Sequence, residues 1–353
     1  MSVFNPSAAL SMVSACAALA ERNANKEALR GIAIQGTCER FAATDLETSL
    51  ISSHFAWEEG WILVPAAKLL GALKALGDQE AEWIVEAETL TIKAPGSRFI
   101  LPLLPKGDFP ILYIGKGVIN IQTLAGPLIE ALEKVACCCA TESARYTMTG
   151  IHMEAGKLVA TDGKRLAVAE IPQTSVVDAS LNATIPGKLA KIIKDVFRHD
   201  PEQAIKVVVA QNAVDFVGND AIVTTRQIEG RYPDYSAILP RIIAHQVETD
   251  PAPILEALCQ IKFMTTKEAR RIGLEFAPGI LTLIVQNEIG GDAATRVEFA
   301  WTEKPLTISI DFKFLKEILE SAGEGPVTIG INTNDKPLVI TADGFQGLIM
   351  PMA

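Results

Sequence analysis

Histidine is scarce in this chain, with four among 353 residues. None of His54, His152, His199 and His245 stands beside a serine or cysteine in a nucleophile motif, which leaves a hydrolase triad without support. A phosphate-cradling glycine loop is missing too. GKGVIN, from Gly115, and EIGGD, from Glu288, lack the full spacing and lie between strand-like pieces instead of leading into a helix. No apolar run reaches the roughly 18 residues of a membrane-spanning helix. The first residues carry no basic leader, so a soluble, cytoplasmic protein is expected. The cysteines Cys16, Cys38, Cys137, Cys138, Cys139 and Cys259 show no metal-ligand spacing, and three in succession on a helix point in different directions. Reduced, mostly buried thiols are expected, with no metal and no cofactor. Positive charge is in deficit, 32 Lys and Arg against 42 Asp and Glu for a net charge of -10. That balance argues against coating nucleic acid by bulk attraction and leaves room only for a local basic surface.

What the chain does have is length and repetition. Its 353 residues, 49% of them hydrophobic, are enough for two or three domains. The same order of signals occurs three times: a helix rich in alanine and leucine, apolar alternation ending at an Asp or Asn turn, a second helix, and more strands. The second helices read VPAAKLLGALKAL from Val64, IPGKLAKIIKDVF from Ile185 and IDFKFLKEIL from Ile310. The turns fall at Asp45, Asp162 and Asn287. Both sets of landmarks recur about 117 to 125 residues apart, a domain-sized period and not a solenoid one. Stretches such as KVVVAQNAVDFVG and ILTLIVQNE alternate with period two and are separated by turn residues. An α+β fold of three similar domains is expected, at residues 1–113, 114–240 and 241–353, each packing two helices on an antiparallel sheet.

LVATDGKRLAVAE, residues 158–170, sets Asp162, Lys164 and Arg165 around one glycine. Asp-Gly is a preferred pair in tight turns, and Val159, Leu166 and Val168 flank it, so a hairpin is the first reading and a catalytic loop the second. From Pro186 to Arg198, Lys188, Lys191, Lys194 and Arg198 are spaced three or four apart while Leu189, Ile192, Ile193, Val196 and Phe197 fill the opposite side. The stretch from Lys262 to Arg271 is basic as well, which predicts two locally basic helices in an acidic chain. A lone charged helix face is more often merely solvated.

VATDGKRLAVAE, IEGRYPDYSAILP (Ile228 to Pro240) and the terminal GLIMPMA together resemble the signature stretches of the bacterial DNA polymerase III beta subunit family, the sliding clamps. ATDLETSL, LVPAAKLLGAL and SRFILPLLPKGDFPIL extend the resemblance through the first third. It implies a head-to-tail homodimer of six similar domains, closed as a ring around double-stranded DNA without reading its sequence. The implied role is a non-catalytic processivity factor for DNA replication. Its implied partners are the DNA polymerase III alpha subunit, a clamp loader, and other DNA polymerases and repair proteins bearing clamp-binding peptides.

Carried onto this sequence, the family's peptide pocket falls on Met148, Thr161, Gly163, Lys164, Arg165, Leu166, Pro240, Phe314, Ile349, Met350, Pro351 and Met352. DNA-facing candidates are Lys26, Lys68, Lys74, Lys188, Lys191, Lys194, Arg198, Lys262 and Lys267. Ring closure is assigned to Arg98, Phe99 and Leu101 of one subunit against Phe263 and Met264 of the other, with Asp292 or Glu298 opposite the arginine. Two departures from the family pattern are Lys164, where a histidine is common, and Glu142, at a position where a polar DNA-facing residue is expected. Lys164 points to a preference for acidic peptides. An enzyme acting on a small nucleotide-like ligand through Asp162, Lys164 and Arg165 is the alternative from another class. A specialised plasmid or phage clamp with altered partners is the alternative within the family.

Overall fold

The computed structural model describes the chain except residues 1, 21–25, 38, 58–59, 113–116, 143–144, 155, 173, 177–180, 267–269, 288–290 and 353. Cys38, Lys267, Gly115 and the Glu288–Gly290 stretch therefore lie outside the described residues. Among the described residues six α-helices follow the expected rhythm of two per third: α1 Pro6–Leu19, α2 Ala66–Leu76, α3 Ala125–Ala136, α4 Leu189–Phe197, α5 Pro251–Ile261 and α6 Phe312–Ser321. Among the described residues the paired strands are antiparallel, as the period-two stretches predict. The fold is α+β.

Local chemistry sets the helix starts. Asn5, Asp250 and Asp311 each accept a backbone N–H of the following first turn, and proline opens α1 and α5, where its missing N–H costs nothing. Helix α4 buries Leu189, Ile192, Ile193, Val196 and Phe197 and leaves Lys191 and Arg198 exposed. Each of those buried apolar side chains contributes about 1.5–3 kcal/mol relative to exposure. Helix α1 carries no charge and packs on both α2 and α4.

The chain forms two compact units, residues 1–129 with 173–227 and residues 130–172 with 228–353. The middle third is thus shared between them, because its strands continue into sheets of its neighbours. In the first unit, Ala221–Arg226 pairs with Thr48–Ser52, joining a nine-stranded sheet. A separate four-stranded sheet ends at the edge strand Ser97–Pro102. In the second unit, Arg165–Glu170 pairs with Phe345–Ile349. Its other sheet runs Gly291–Glu298, Ile280–Asn287, Arg271–Ala277, Leu306–Asp311. Gly347 permits this packing, since a Cβ there would sit 2.5 Å from Cγ2 of Ile318 on α6. Lys262 opens a short 3-10 turn and Arg271 already belongs to a strand. The second basic helix expected over 262–271 is absent from the described residues of that stretch, 262–266 and 270–271.

Candidate functional site

The hairpin expected at Asp162-Gly163 is present, with Lys157–Thr161 and Arg165–Glu170 paired antiparallel. Asp162 Oδ1 accepts the N–H groups of Lys164 (2.9 Å) and Arg165 (3.0 Å). Thr161 Oγ1 donates to the Arg165 carbonyl at 2.6 Å and accepts from Gly163 N–H at 3.1 Å. Gly163 has φ +86°, in the left-handed region that suits glycine. The turn at Asp45 repeats this network: Asp45 Oδ1 accepts from Glu47 and Thr48, and Thr44 Oγ1 bonds the Thr48 carbonyl and the Leu46 N–H. Leu46 even shares the conformation, with φ +74°. The repeat read from the sequence therefore holds at the level of single hydrogen bonds for these two turns; the third, at Asn287, runs into residues 288–290, outside the described residues.

Arg165 is the centre of the second unit's site. It is buried, and its guanidinium donates to Asp162 Oδ2 (3.0 Å), to Glu317 of α6 and to the Cys137 carbonyl. It also lies 4.3 Å from the centroid of the Phe314 ring. The arginine consequently fixes α6 and Phe314 against the turn. Asp162 and Arg165 are occupied in holding this structure, which leaves the enzyme reading with exposed Lys164 alone.

Strand pairing sets Arg165 opposite Ile349 and Leu166 opposite Leu348. The segment after that strand is held by Met350 N–H to the Lys164 carbonyl (2.8 Å) and Met352 N–H to the Ser309 carbonyl (2.7 Å). Its side chains stay open to solvent, Met350 at 39% and Met352 at 40% exposure. Leu166 packs with Val159, Val168, Tyr232, Val339 and Leu348, and Tyr235, Leu239 and Ile243 pack against the cluster. Met148 and Thr161 are buried, Ile349 is fully so, and Pro240, Phe314 and Pro351 are half-buried. Tyr232, Leu239, Val339, Leu348 and Glu317 escape the sequence reading, although the alternation of LVITA and FQGLI marks the strand positions. Tyr232 stacks on His152 with centroids 4.6 Å apart. Burial pushes the Tyr232 hydroxyl up and the His152 imidazole down, the latter opposed by Glu154. The Tyr235 hydroxyl donates to Glu154 at 2.9 Å and is pushed up to about 12, first by burial and then by that carboxylate.

The first unit carries the basic residues. Lys68 and Lys74 of α2 and Lys191 of α4 line one cavity of about 430 Å³ with Arg30, over the small residues Ser14, Ala17 and Ala18 of α1. Arg30 is an addition that the sequence reading lacks. Lys26 and Arg198 are exposed and Lys194 half-buried. Lys188, also a DNA-facing candidate, is a paired cation, because Asp45 (2.5 Å) and Glu47 (3.2 Å) both hold its ammonium. In the second unit Lys262 is exposed, and Glu142 is exposed as well.

Both proposed closure segments are sheet edges, Ser97–Pro102 in one unit and Gly291–Glu298 in the other. Arg98, Asp292 and Glu298 are exposed, Phe99 and Met264 half-buried, and Phe263 is 79% exposed. Leu101, the third closure candidate on this strand, is 6% exposed within its own unit. The exposed apolar side chain on that edge is Ile100, at 54%. Among the described residues no cluster of three His, Cys, Asp or Glu side chains suits a metal, and no helix is long and apolar enough to cross a membrane.

Family models of the DNA polymerase III beta subunit match the chain in succession: N-terminal domain at residues 8–113, central domain at 124–234 and C-terminal domain at 236–353. The chain is 28% identical over 300 residues to the beta sliding clamp of Caulobacter vibrioides, covering 81% of this chain and 80% of that one. It is 27% identical over 333 residues to the beta sliding clamp of Pseudomonas aeruginosa, covering 91% and 90%. Its structure is similar to that of a Pseudomonas aeruginosa sliding clamp bound to griselimycin, with TM-score 0.84, 25% identity and coverage of 99% and 98%.

Proposed function

We propose, from the premise that this chain belongs to the DNA polymerase III beta subunit family, that it is a DNA sliding clamp. The observation that carries the reading is the succession of all three domain matches, in family order, along one chain. Two copies close a ring around duplex DNA, with domains at 1–113, 114–240 and 241–353, and tether the replicative polymerase and other DNA-metabolism proteins in the cytoplasm. The ring is loaded by a separate clamp loader, catalyses nothing and needs no cofactor. Exposed Lys68, Lys74, Lys191 and Arg198 face the phosphates, which position without specifying sequence.

Met350, Pro351 and Met352 above Leu166 form the partner groove. An apolar floor with adaptable thioethers at its rim accepts several hydrophobic peptides, and the buried Arg165 keeps Phe314 in place beside it. Titration of a labelled peptide from the alpha-subunit tail tests the groove. Met352→Asp is expected to weaken binding at least about tenfold, the effect of about 1.4 kcal/mol. Leu166→Lys should weaken it further, and unchanged affinity in both variants would place the peptide elsewhere.

A further inference from the structure

Just beyond α3, three consecutive cysteines meet the end of α6. Cys137 is half-buried while Cys138 is fully buried. The Cys137 sulfur lies 3.8 Å from Cys138 Sγ and 3.3 Å from Ser321 Oγ. Its backbone carbonyl is the acceptor for Arg165 Nη2. One residue thus touches the last residue of α6 with its side chain and the arginine that stacks on Phe314 with its main chain.

The geometry points to Cys137 as a covalent modification site for low-molecular-weight disulfides, whose adduct loosens the partner groove. The Cys137 thiolate attacks one sulfur of the disulfide. A bond forms between the two sulfurs, the original S–S bond breaks, and its second sulfur leaves as a thiolate. The incoming disulfide is the oxidant, so no other co-reactant is needed. The added group has to occupy the space between Cys137 and Ser321. Displacing Cys137 there removes one of the acceptors that hold Arg165, leaving Asp162 and Glu317, and loosens the guanidinium over Phe314.

The surroundings favour the thiolate at Cys137. The Cys138 S–H bond lowers its pKa first, and the Ser321 hydroxyl and Arg165 add to this, against burial and Glu317, bringing it down to about 7. Cys138 is held well up by its bond to Cys137 and by burial, and Cys139 is pushed up to about 12 by burial. Consecutive Cα atoms are about 3.8 Å apart, below the usual span of roughly 4.4–6.8 Å across a disulfide. Cys138 is therefore a poor resolving thiol and the adduct persists on Cys137.

The consequence for partner binding rests on the groove reading above, so the test has two arms. In the first, reduced full-length protein is treated with glutathione disulfide between pH 6 and 9, and modified peptides are mapped by mass spectrometry. Adduct on Cys137, formed at a rate with its midpoint near 7, is expected; no adduct there, or a midpoint near the ordinary 9.0, overturns the site. In the second, the alpha-tail peptide is titrated before and after treatment. Affinity is expected to fall at least about fivefold, to recover with dithiothreitol, and to stop responding in Cys137→Ser. Modified protein that binds as before overturns the link to the groove, while reduced protein that never binds the peptide overturns the groove reading and leaves the first arm to judge the site.

Discussion

Two turns carry the same side-chain hydrogen bonds, yet one has glycine and the other leucine at the left-handed position. Gly163 has φ +86° and its absent Cβ would lie 3.2 Å from the Met148 methyl, whereas Leu46 adopts φ +74° in an exposed turn. A non-glycine residue costs about 1–2 kcal/mol in this region. Gly163→Ala is expected to lower unfolding stability by about that amount in urea titration, with the slope unchanged. His152 supplies a pH effect. Burial lowers its pKa below 6.5, so at pH values below 6.5 the unfolded chain binds a proton that the folded chain resists. More protons on the unfolded state mean that stability rises with pH in that window and is lost as pH falls towards the depressed folded value. His152→Gln should flatten that part of the stability profile without changing the profile above it; an equally steep loss in the variant would assign the acid sensitivity to other groups.

At the scale of elements, the helix pairs and hairpins were legible because their signals are local. The Asp45 and Asp162 turns, the apolar face of α4 and the acid cap of α6 each follow from residues within one or two turns of each other. Long-range partners were not legible. Nothing near Arg165 in sequence announces Glu317 or the Cys137 carbonyl, and nothing near Lys188 announces Asp45. The basic run at 262–271 misled for the opposite reason, since its charge spacing suits a helix while, among the described residues, Lys262–Met264 form a 3-10 turn and Arg271 opens a strand. The edges themselves yield a test. Ser97–Pro102 and Gly291–Glu298 end their sheets, and an unpaired edge invites another strand. Phe99→Glu is expected to sediment as monomer at micromolar concentration with native circular dichroism, while wild type sediments as dimer. A dimeric, folded variant would remove this edge from the closure contact.

For the whole molecule, a net charge of -10 and a basic cavity wall have to coexist. Tight phosphate contacts would bind DNA and also stop it sliding, and each neutralised phosphate makes binding fall with salt, with a slope of about 0.9 per contact. A net negative charge with a local basic cavity wall suits retention by enclosure, where the ring holds DNA through topology. Lys188, tied to Asp45 and Glu47, reduces the number of free contacts further. These features predict a difference that ordinary binding cannot produce. Clamps loaded on a closed circular duplex should remain through a wash at about 0.5 M salt, a concentration at which screening extends only a few ångströms. Cutting the circle once should release them within the time needed to diffuse off the ends. Replacing Lys68, Lys74 and Lys191 together by glutamate should reduce loading and leave the lifetime of loaded clamps on the uncut circle nearly unchanged. If salt alone strips the wild-type protein from the circle, or if linear DNA retains it, attraction to phosphate and not enclosure is what keeps it there.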